Sequence, residues 1–379
     1  MSAHVIGASC YWLCTGTEFF NALLAGIDSA QRSICLEAYI YSAGQPGERF
    51  RDALVRARRR GAQVRVLLDA LGSYSLPKSF WEPLTVTGGE ARYFNPLSLN
   101  RLGFRNHRKL LVVDLQVGFV GGFNIAPEYE GDGVKCGWCD LGMKIEGPLA
   151  AELAASFEAM WVRADSPHKR FIRLRKSSAK RAVLAPYEQL LLSGPGRGPS
   201  PIKRALQQDL ARGKSVQFIV AYFLPTWRIR RQLVDVARRG GRVQLILAAK
   251  SDVTLSLLAS RSLYRRLLNG GLEIYEYQPQ ILHAKLYIID EVVYVGSANL
   301  DQRSLNINYE LMIRFTGPDV AAQAREIFKA ALGNCARVSA ETWAGSRSLW
   351  SRLKQRLAYW ILVRLDPSIA RRQWRRLPD

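Results

Sequence analysis

Histidine is scarce in this chain of 379 residues: there are four, and two of them, His107 and His283, stand in one and the same local pattern. His107-Arg108-Lys109 runs through four apolar residues to Asp114, and His283-Ala284-Lys285 runs through residues 286–289 to Asp290, so both read H-x-K-x4-D. A histidine and a lysine two apart on a strand point to the same face, which lets an imidazole and an ammonium converge on one ligand. Past each motif lies a glycine-rich strand end with a polar side chain, Gly121-Gly122-Phe123-Asn124 and Gly296-Ser297-Ala298-Asn299. Small residues there let a ligand approach the backbone, and the amides add neutral donors. Two such pairs of imidazole and ammonium suit a phosphate.

The elements that must hold these residues also repeat. An apolar strand ending in Ala38-Tyr39 matches one ending in Ala221-Tyr222. Arg59-Arg60-Gly61 leads into an apolar run at 64–68 as Arg239-Gly240-Gly241 leads into 243–247, with glycine where a helix end needs positive φ. Gly88-Gly89 and Gly270-Gly271 open a third strand in each half. Residues 140–148 and 310–318 close the two copies alike, at Gly147-Pro148 and Gly317-Pro318. Strands alternating with helices at this spacing predict an α/β fold of two lobes, each a mixed, mainly parallel sheet flanked by helices. The expected division is a first lobe at 1–162, a basic linker at 163–200, a second lobe at 201–335 and a basic tail at 336–379. The linker is named for the eight basic residues at 163–181, and four of the nine tryptophans fall in the tail.

The duplicated motif with its trailing G-[GS]-x-N resembles the phospholipase D superfamily, over about residues 5–335. Within it the chain looks most like bacterial cardiolipin synthases, on His107-Arg108-Lys109, Gly121 to Ile125, Glu146-Gly147-Pro148 and the run Gly296-Ser297-Ala298-Asn299-Leu300-Asp301-Gln302-Arg303-Ser304. The resemblance implies two pseudo-symmetric lobes with the active site at their interface. It implies a catalytic set of His107, Lys109, Asp114, His283, Lys285 and Asp290, in which the two aspartates buttress the motif. Asn124, Asn299, Ser297 and Ser304 would bind or support the phosphate, and Asp140 and Glu310 would orient the histidines. A phosphodiester resists attack because its anionic oxygens repel nucleophiles, so the lysines must neutralise them while one imidazole attacks phosphorus and the other carries the proton. The resemblance points to His107 as the nucleophile. Neither a metal nor another cofactor is expected, since the lysines supply the charge. One departure is the spacing: six residues separate Asp114 from Gly121 but five separate Asp290 from Gly296, which a tighter hairpin would absorb.

Composition sets the partner's sign. Against 32 Asp and Glu, 54 Lys and Arg leave a net charge of +22, a field that collects polyanions. In the tail, Leu349, Trp350, Leu353, Leu357, Trp360 and Ile361 recur at helical spacing with Arg352, Lys354 and Arg356 off that face, the pattern of a helix lying on anionic lipid. The competing arrangement packs that stripe on the protein. The favoured function is phosphatidyl transfer at an anionic phospholipid membrane, with phosphatidylglycerol as substrate and cardiolipin as product. The alternatives are a phospholipase D-type hydrolase and a nucleic-acid phosphodiesterase. No signal peptide or spanning segment is evident, and six sparse cysteines fit a reducing compartment, so the expected location is the cytoplasmic side of the cell membrane, peripherally bound. Cys136-Gly137-Trp138-Cys139 is read as incidental, with half a zinc site as the alternative.

Overall fold

The computed structural model describes residues 2–5, 8–96, 103–165, 180–185, 187–196, 198–345 and 348–365. The first sheet holds β1 (Ser2–Val5), β2 (Ala8–Leu13), β3 (Ser33–Ala38), β4 (Gln63–Asp69), β5 (Glu90–Phe94), β6 (Leu110–Val113), β7 (Val117–Gly121) and β8 (Gly142–Glu146), in the order β1-β2-β8-β7-β6-β3-β4-β5. The second holds β9 (Ala182–Leu184), β10 (Glu188–Ser193), β11 (Ser215–Val220), β12 (Arg242–Ala248), β13 (Glu273–Tyr277), β14 (Lys285–Ile289), β15 (Val292–Gly296), β16 (Glu310–Thr316) and β17 (Cys335–Val338), in the order β17-β13-β12-β11-β14-β15-β16-β10-β9. The first lobe's helices are α1 (Gly16–Ser29), α2 (Gln45–Arg59), α3 (Glu82–Thr85) and α4 (Pro148–Asp165). The second lobe's are α5 (Pro201–Arg212), α6 (Trp227–Arg238), α7 (Thr254–Arg261), α8 (Tyr264–Leu268), α9 (Gln302–Asn306), α10 (Pro318–Leu332), α11 (Ala340–Gly345) and α12 (Leu349–Trp360).

The two-lobed α/β repeat is present, and its sheets are mixed, but they are not mainly parallel. Parallel pairing is confined to β3-β4-β5 and β11-β12-β13; every other neighbouring pair is antiparallel. The reason is connection length. Parallel neighbours need a crossover, which α2 supplies between β3 and β4, whereas three residues join β6 to β7 and two join β14 to β15, enough only for hairpins.

Local sequence explains the helices. Thr15 and Glu18 form a reciprocal capping box at the start of α1, whose Phe19, Phe20, Leu23 and Ile27 bury one stripe. In α6, Ile229, Leu233 and Val236 are buried while arginines occupy the other face. Such stripes fill three cores. One lies outside the first sheet under α1 and α2, and one outside the second under α5, α6 and α7. The third is shared: Val120, Met143 and Ile145 of the first sheet meet Ile288, Val293 and Leu311 of the second, with Phe157 of α4 and Phe328 of α10.

The expected boundaries shift accordingly. The cut at 162 falls inside α4, and the second half of the supposed linker is β9 and β10, strands of the second sheet. The cut at 335 falls inside β17, which pairs with β13. Beyond it Trp343 packs on Tyr264 with ring centroids 4.8 Å apart, and Ala358 is buried in the second lobe's core. The tail is therefore built onto the lobe rather than appended to it. His168 and most of the basic residues of the linker, and Arg371, Arg372, Arg375 and Arg376 of the tail, lie outside the described residues.

Candidate active site

Each motif lysine stands at the start of a central strand, Lys109 just before β6 and Lys285 as the first residue of β14. The chain ahead of each histidine crosses to the other lobe. Asn106 bridges Tyr309 and Leu282 bridges Cys139. His107 N donates to Tyr309 O at 3.0 Å, and His283 N to Cys139 O at 2.7 Å. Because Glu310 follows Tyr309 and Asp140 follows Cys139, these backbone bonds deliver each carboxylate to the histidine of the opposite lobe. His107 Nδ1 lies 3.0 Å from Glu310 Oε2, and His283 Nδ1 lies 2.6 Å from Asp140 Oδ2. With Nδ1 engaged, each Nε2 is left for chemistry.

The glycine strand ends set the room for these carboxylates. A Cβ on Gly122 would fall 2.1 Å from Asp140 Oδ1, so only glycine leaves Asp140 its place. The equivalent Ser297 instead donates its hydroxyl to the longer Glu310, and Ser304 bonds that carboxyl as well. Asn124 and Asn299 use their amide oxygens to accept from Ile40 N at 3.0 Å and Tyr222 N at 3.3 Å, tying the ends of β3 and β11 to the site. Both histidines and both asparagines line one cavity of about 390 Å³ between the lobes, together with Ser304.

Asp114 and Asp290 do not belong to this group. They sit at the far ends of β6 and β14, five residues from the lysines, roughly 16 Å along an extended strand. Asp114 accepts from Gln31 N, Arg32 N and Ser33 N at 2.7–2.9 Å, and Asp290 from Lys214 N and Ser215 N at 3.2 and 2.8 Å. They fasten the entry of β3 and β11, a bracing position outside the cavity that the histidines line. Both take left-handed φ, 53° and 51°, which aspartate tolerates in a turn. The two hairpins also absorb the spacing difference: Asp114-Leu115-Gln116 joins one and Asp290-Glu291 the other.

Burial dominates the electrostatics. It drives both histidines down, His107 well below its usual range and His283 to about 4, with Lys109 and Lys285 adding repulsion. Burial also pulls Lys109 down to about 7 and Lys285 to about 8 despite the neighbouring carboxylates. The two carboxylates diverge. Burial pushes Glu310 up to about 8, only partly opposed by Lys109 and the two serine hydroxyls. Burial would raise Asp140 too, but His283 and Lys285 hold it below its usual value. Two weakened cations thus stand beside the histidines that line the cavity, and an anionic phosphate bound there would favour their charged forms.

No spacing in the sequence marks the site's aromatic wall. Tyr129 packs edge-on to His283 at 5.2 Å, with its hydroxyl 3.5 Å from Nε2 and held by Asn124 Nδ2 at 2.7 Å. Trp138, inside the C-x-x-C set aside as incidental, lies 5.7 Å from the same ring. The carbonyl of Cys139 holds His283, while burial pushes the Cys139 thiol up to about 12. Among the described residues no cluster of three potential metal ligands forms. Tyr39 sits edge-on to His107 at 4.9 Å, and Tyr222 donates to Asp252 across the cavity. The two tyrosines are not equivalents: Asp114 binds Ser33 and Asp290 binds Ser215, and Tyr41 bridges Ile125 as Phe223 bridges Leu300, so Tyr222 is the counterpart of Ile40. The Ala-Tyr match read from the sequence is one residue out of register.

The family model described as cardiolipin synthase, PLD-like domain, matches residues 23–161 and 206–332. Cardiolipin synthase 1 of Bacillus cereus is 33% identical over 318 residues, 79% of this chain and 62% of its own length. The major cardiolipin synthase of Bacillus subtilis is 31% identical over 347 residues, 90% of this chain and 72% of its own. The chain thus spans about three fifths of the first of these relatives. Among solved structures, phosphatidylserine synthase of Haemophilus influenzae superposes with a TM-score of 0.75 at 15% identity, covering 95% of this chain and 94% of that one, a likeness of fold.

Proposed function

Since the chain belongs to the phospholipase D-like cardiolipin synthase family, we propose that it moves a phosphatidyl group from one phosphatidylglycerol to the headgroup hydroxyl of another, forming cardiolipin and releasing glycerol. The observation that carries this reading is the crossed pairing, in which each lobe's histidine is oriented by the other lobe's carboxylate over one cavity. His107 is the more open of the two, with 12% of its side chain exposed against 5% for His283. It is held neutral, as a nucleophile must be.

In the first half-reaction His107 Nε2 bonds to phosphorus as the bond to the glycerol oxygen breaks, and His283 gives that oxygen a proton. In the second, His283 takes the proton from the incoming hydroxyl, whose oxygen bonds to phosphorus as the P–N bond breaks. His283, which burial drives down to about 4 in the free site, must enter the first half-reaction as the imidazolium, and both the anionic Asp140 at 2.6 Å and the arriving phosphate anion favour that form. Lys109 and Lys285 neutralise the nonbridging oxygens, and their depressed proton affinities rise again when the phosphate arrives. A metal has no step to perform. We place this work at an anionic membrane on the cytoplasmic side, supported by the net charge of +22, the exposed apolar face of α12 and six unbridged cysteines. Among the described residues no helix is long and apolar enough to cross a membrane.

The test is product analysis. Incubation of the full chain with phosphatidylglycerol vesicles should yield cardiolipin and glycerol, and labelled single-stranded DNA should remain intact. Phosphatidic acid as the main product would mean that water is the acceptor. Cleaved DNA with untouched lipid would move the activity to the nucleic-acid alternative.

A further inference from the structure

A second groove, of about 890 Å³, lies on the second lobe between α6, α8 and α12, and none of the catalytic side chains lines it. Six arginines do: Arg230, Arg231, Arg238, Arg265, Arg266 and Arg356. The one carboxylate among its lining residues, Asp235, pairs with Arg231 at 3.7 Å. Arg230 stacks over Tyr359 at 5.7 Å, and its Nε is buried without a hydrogen-bond partner among the described residues. Guanidiniums gathered on three elements with so little counter-charge repel one another, and an anion relieves that repulsion.

What borders the groove narrows the anion's source. Trp227 and Trp360 stand at its edge, more than half exposed. From Trp360 the outer face of α12 continues through Leu357, Leu353, Trp350 and Leu349, all exposed, Leu349 by 81%. The helix is docked on the lobe by its other face, Gln355 and Ala358. It thus turns outward the apolar stripe that a helix packed for stability would bury. Arginine beside exposed tryptophan and leucine matches the layering of a phospholipid surface, headgroup over acyl chain. The next turn of the same segment, Ile361–Leu365, sends Leu362 into the wall of the catalytic cavity.

We propose that this groove is an accessory docking site for the phosphate headgroups of an anionic phospholipid surface, with the α12 stripe sunk among the acyl chains beside it. The inference deepens the membrane-surface reading and does not depend on the transfer chemistry.

The experiment measures sedimentation of the full chain with mixed phosphatidylglycerol–phosphatidylcholine vesicles and with pure phosphatidylcholine, across a salt series. The variant Arg238→Gln/Arg265→Gln/Arg266→Gln removes three exposed charges, each expected to weaken attachment severalfold, so affinity for the mixed vesicles should fall on the order of a hundredfold with a flatter salt dependence. Its thermal midpoint and its turnover of dispersed short-chain phosphatidylglycerol should match the parent's. Leu353→Ser/Leu357→Ser should reduce the attachment that survives high salt. Unchanged binding by the triple variant would overturn the proposal. So would a single-stranded oligonucleotide held through the same three arginines more tightly than the vesicles. Arginine-dependent vesicle binding by a parent protein that turns over no phosphatidylglycerol would uphold this site while removing the transfer reading.

Discussion

At His283 the partner carboxylate is short, held anionic and 2.6 Å away; at His107 it is one methylene longer, 3.0 Å away and pushed up to about 8 by burial. In the proposed cycle that asymmetry gives the proton transfers to His283. Asp140→Asn should therefore lower kcat by about 10²–10⁴-fold, while Glu310→Gln, which replaces a largely neutral group, should stay within about tenfold of the parent. Equal losses in the two variants, measured on short-chain phosphatidylglycerol, would contradict the assignment. The lysines give a second prediction. A depressed lysine is charged below its pKa and neutral above it, so kcat/KM should fall as pH rises through about 7 to 8, where Lys109 and then Lys285 lose their protons. A bound phosphate raises both, so the alkaline limb of kcat should lie at higher pH than that of kcat/KM, and coincident limbs would remove the lysines from phosphate binding. The histidines and lysines were legible because their spacing repeats. Tyr129 and Trp138 were not, because an aromatic ring in a loop carries no periodic signal and its place beside His283 follows from long-range pairing.

Among the elements, the two motif strands differ in what braces them. Arg108 is buried against Glu37 at 3.1 Å and Ser156 at 2.7 Å, whereas the second lobe has Ala284 and Ile219 at the equivalent places, both packed in the shared core. Removing one partner of a buried pair strands the other charge, so Glu37→Ala should cost about 3–5 kcal/mol. The exchange Glu37→Ile/Arg108→Ala, which copies the second lobe, should cost less than that single change; denaturant unfolding of both decides it. The element-scale pattern was readable in its order, since glycine turns and apolar runs recur. Its pairing was not, because alternation of strand and helix does not say which strand lies beside β3, and an Ala-Tyr coincidence hid a one-residue shift. The tail misled for a related reason: its helical stripe was visible, but β17 and the seat of Ala358 depend on tertiary partners. Truncation after residue 336 should accordingly unfold or aggregate the second lobe rather than release intact lobes, which a melting curve and light scattering would register.

For the whole molecule, the shared core and the crossed carboxylates have one consequence: neither lobe contains a complete histidine–carboxylate pair, so the site exists only where the lobes meet. Charge neutralisation by Lys109 and Lys285 predicts that cardiolipin formation continues undiminished in EDTA; loss of activity restored by zinc or magnesium would oppose it. In the proposed cycle phosphorus passes through one histidine on its way between two lipids. That passage is tested most directly by mixing the full chain with phosphatidylglycerol labelled in its phosphate, under single-turnover conditions, quenching in alkali and mapping the labelled peptide. One labelled histidine, His107, is expected, its label chased into cardiolipin when unlabelled phosphatidylglycerol is added. Label on a serine or a carboxylate, or cardiolipin formed with no labelled protein at any time, would contradict it.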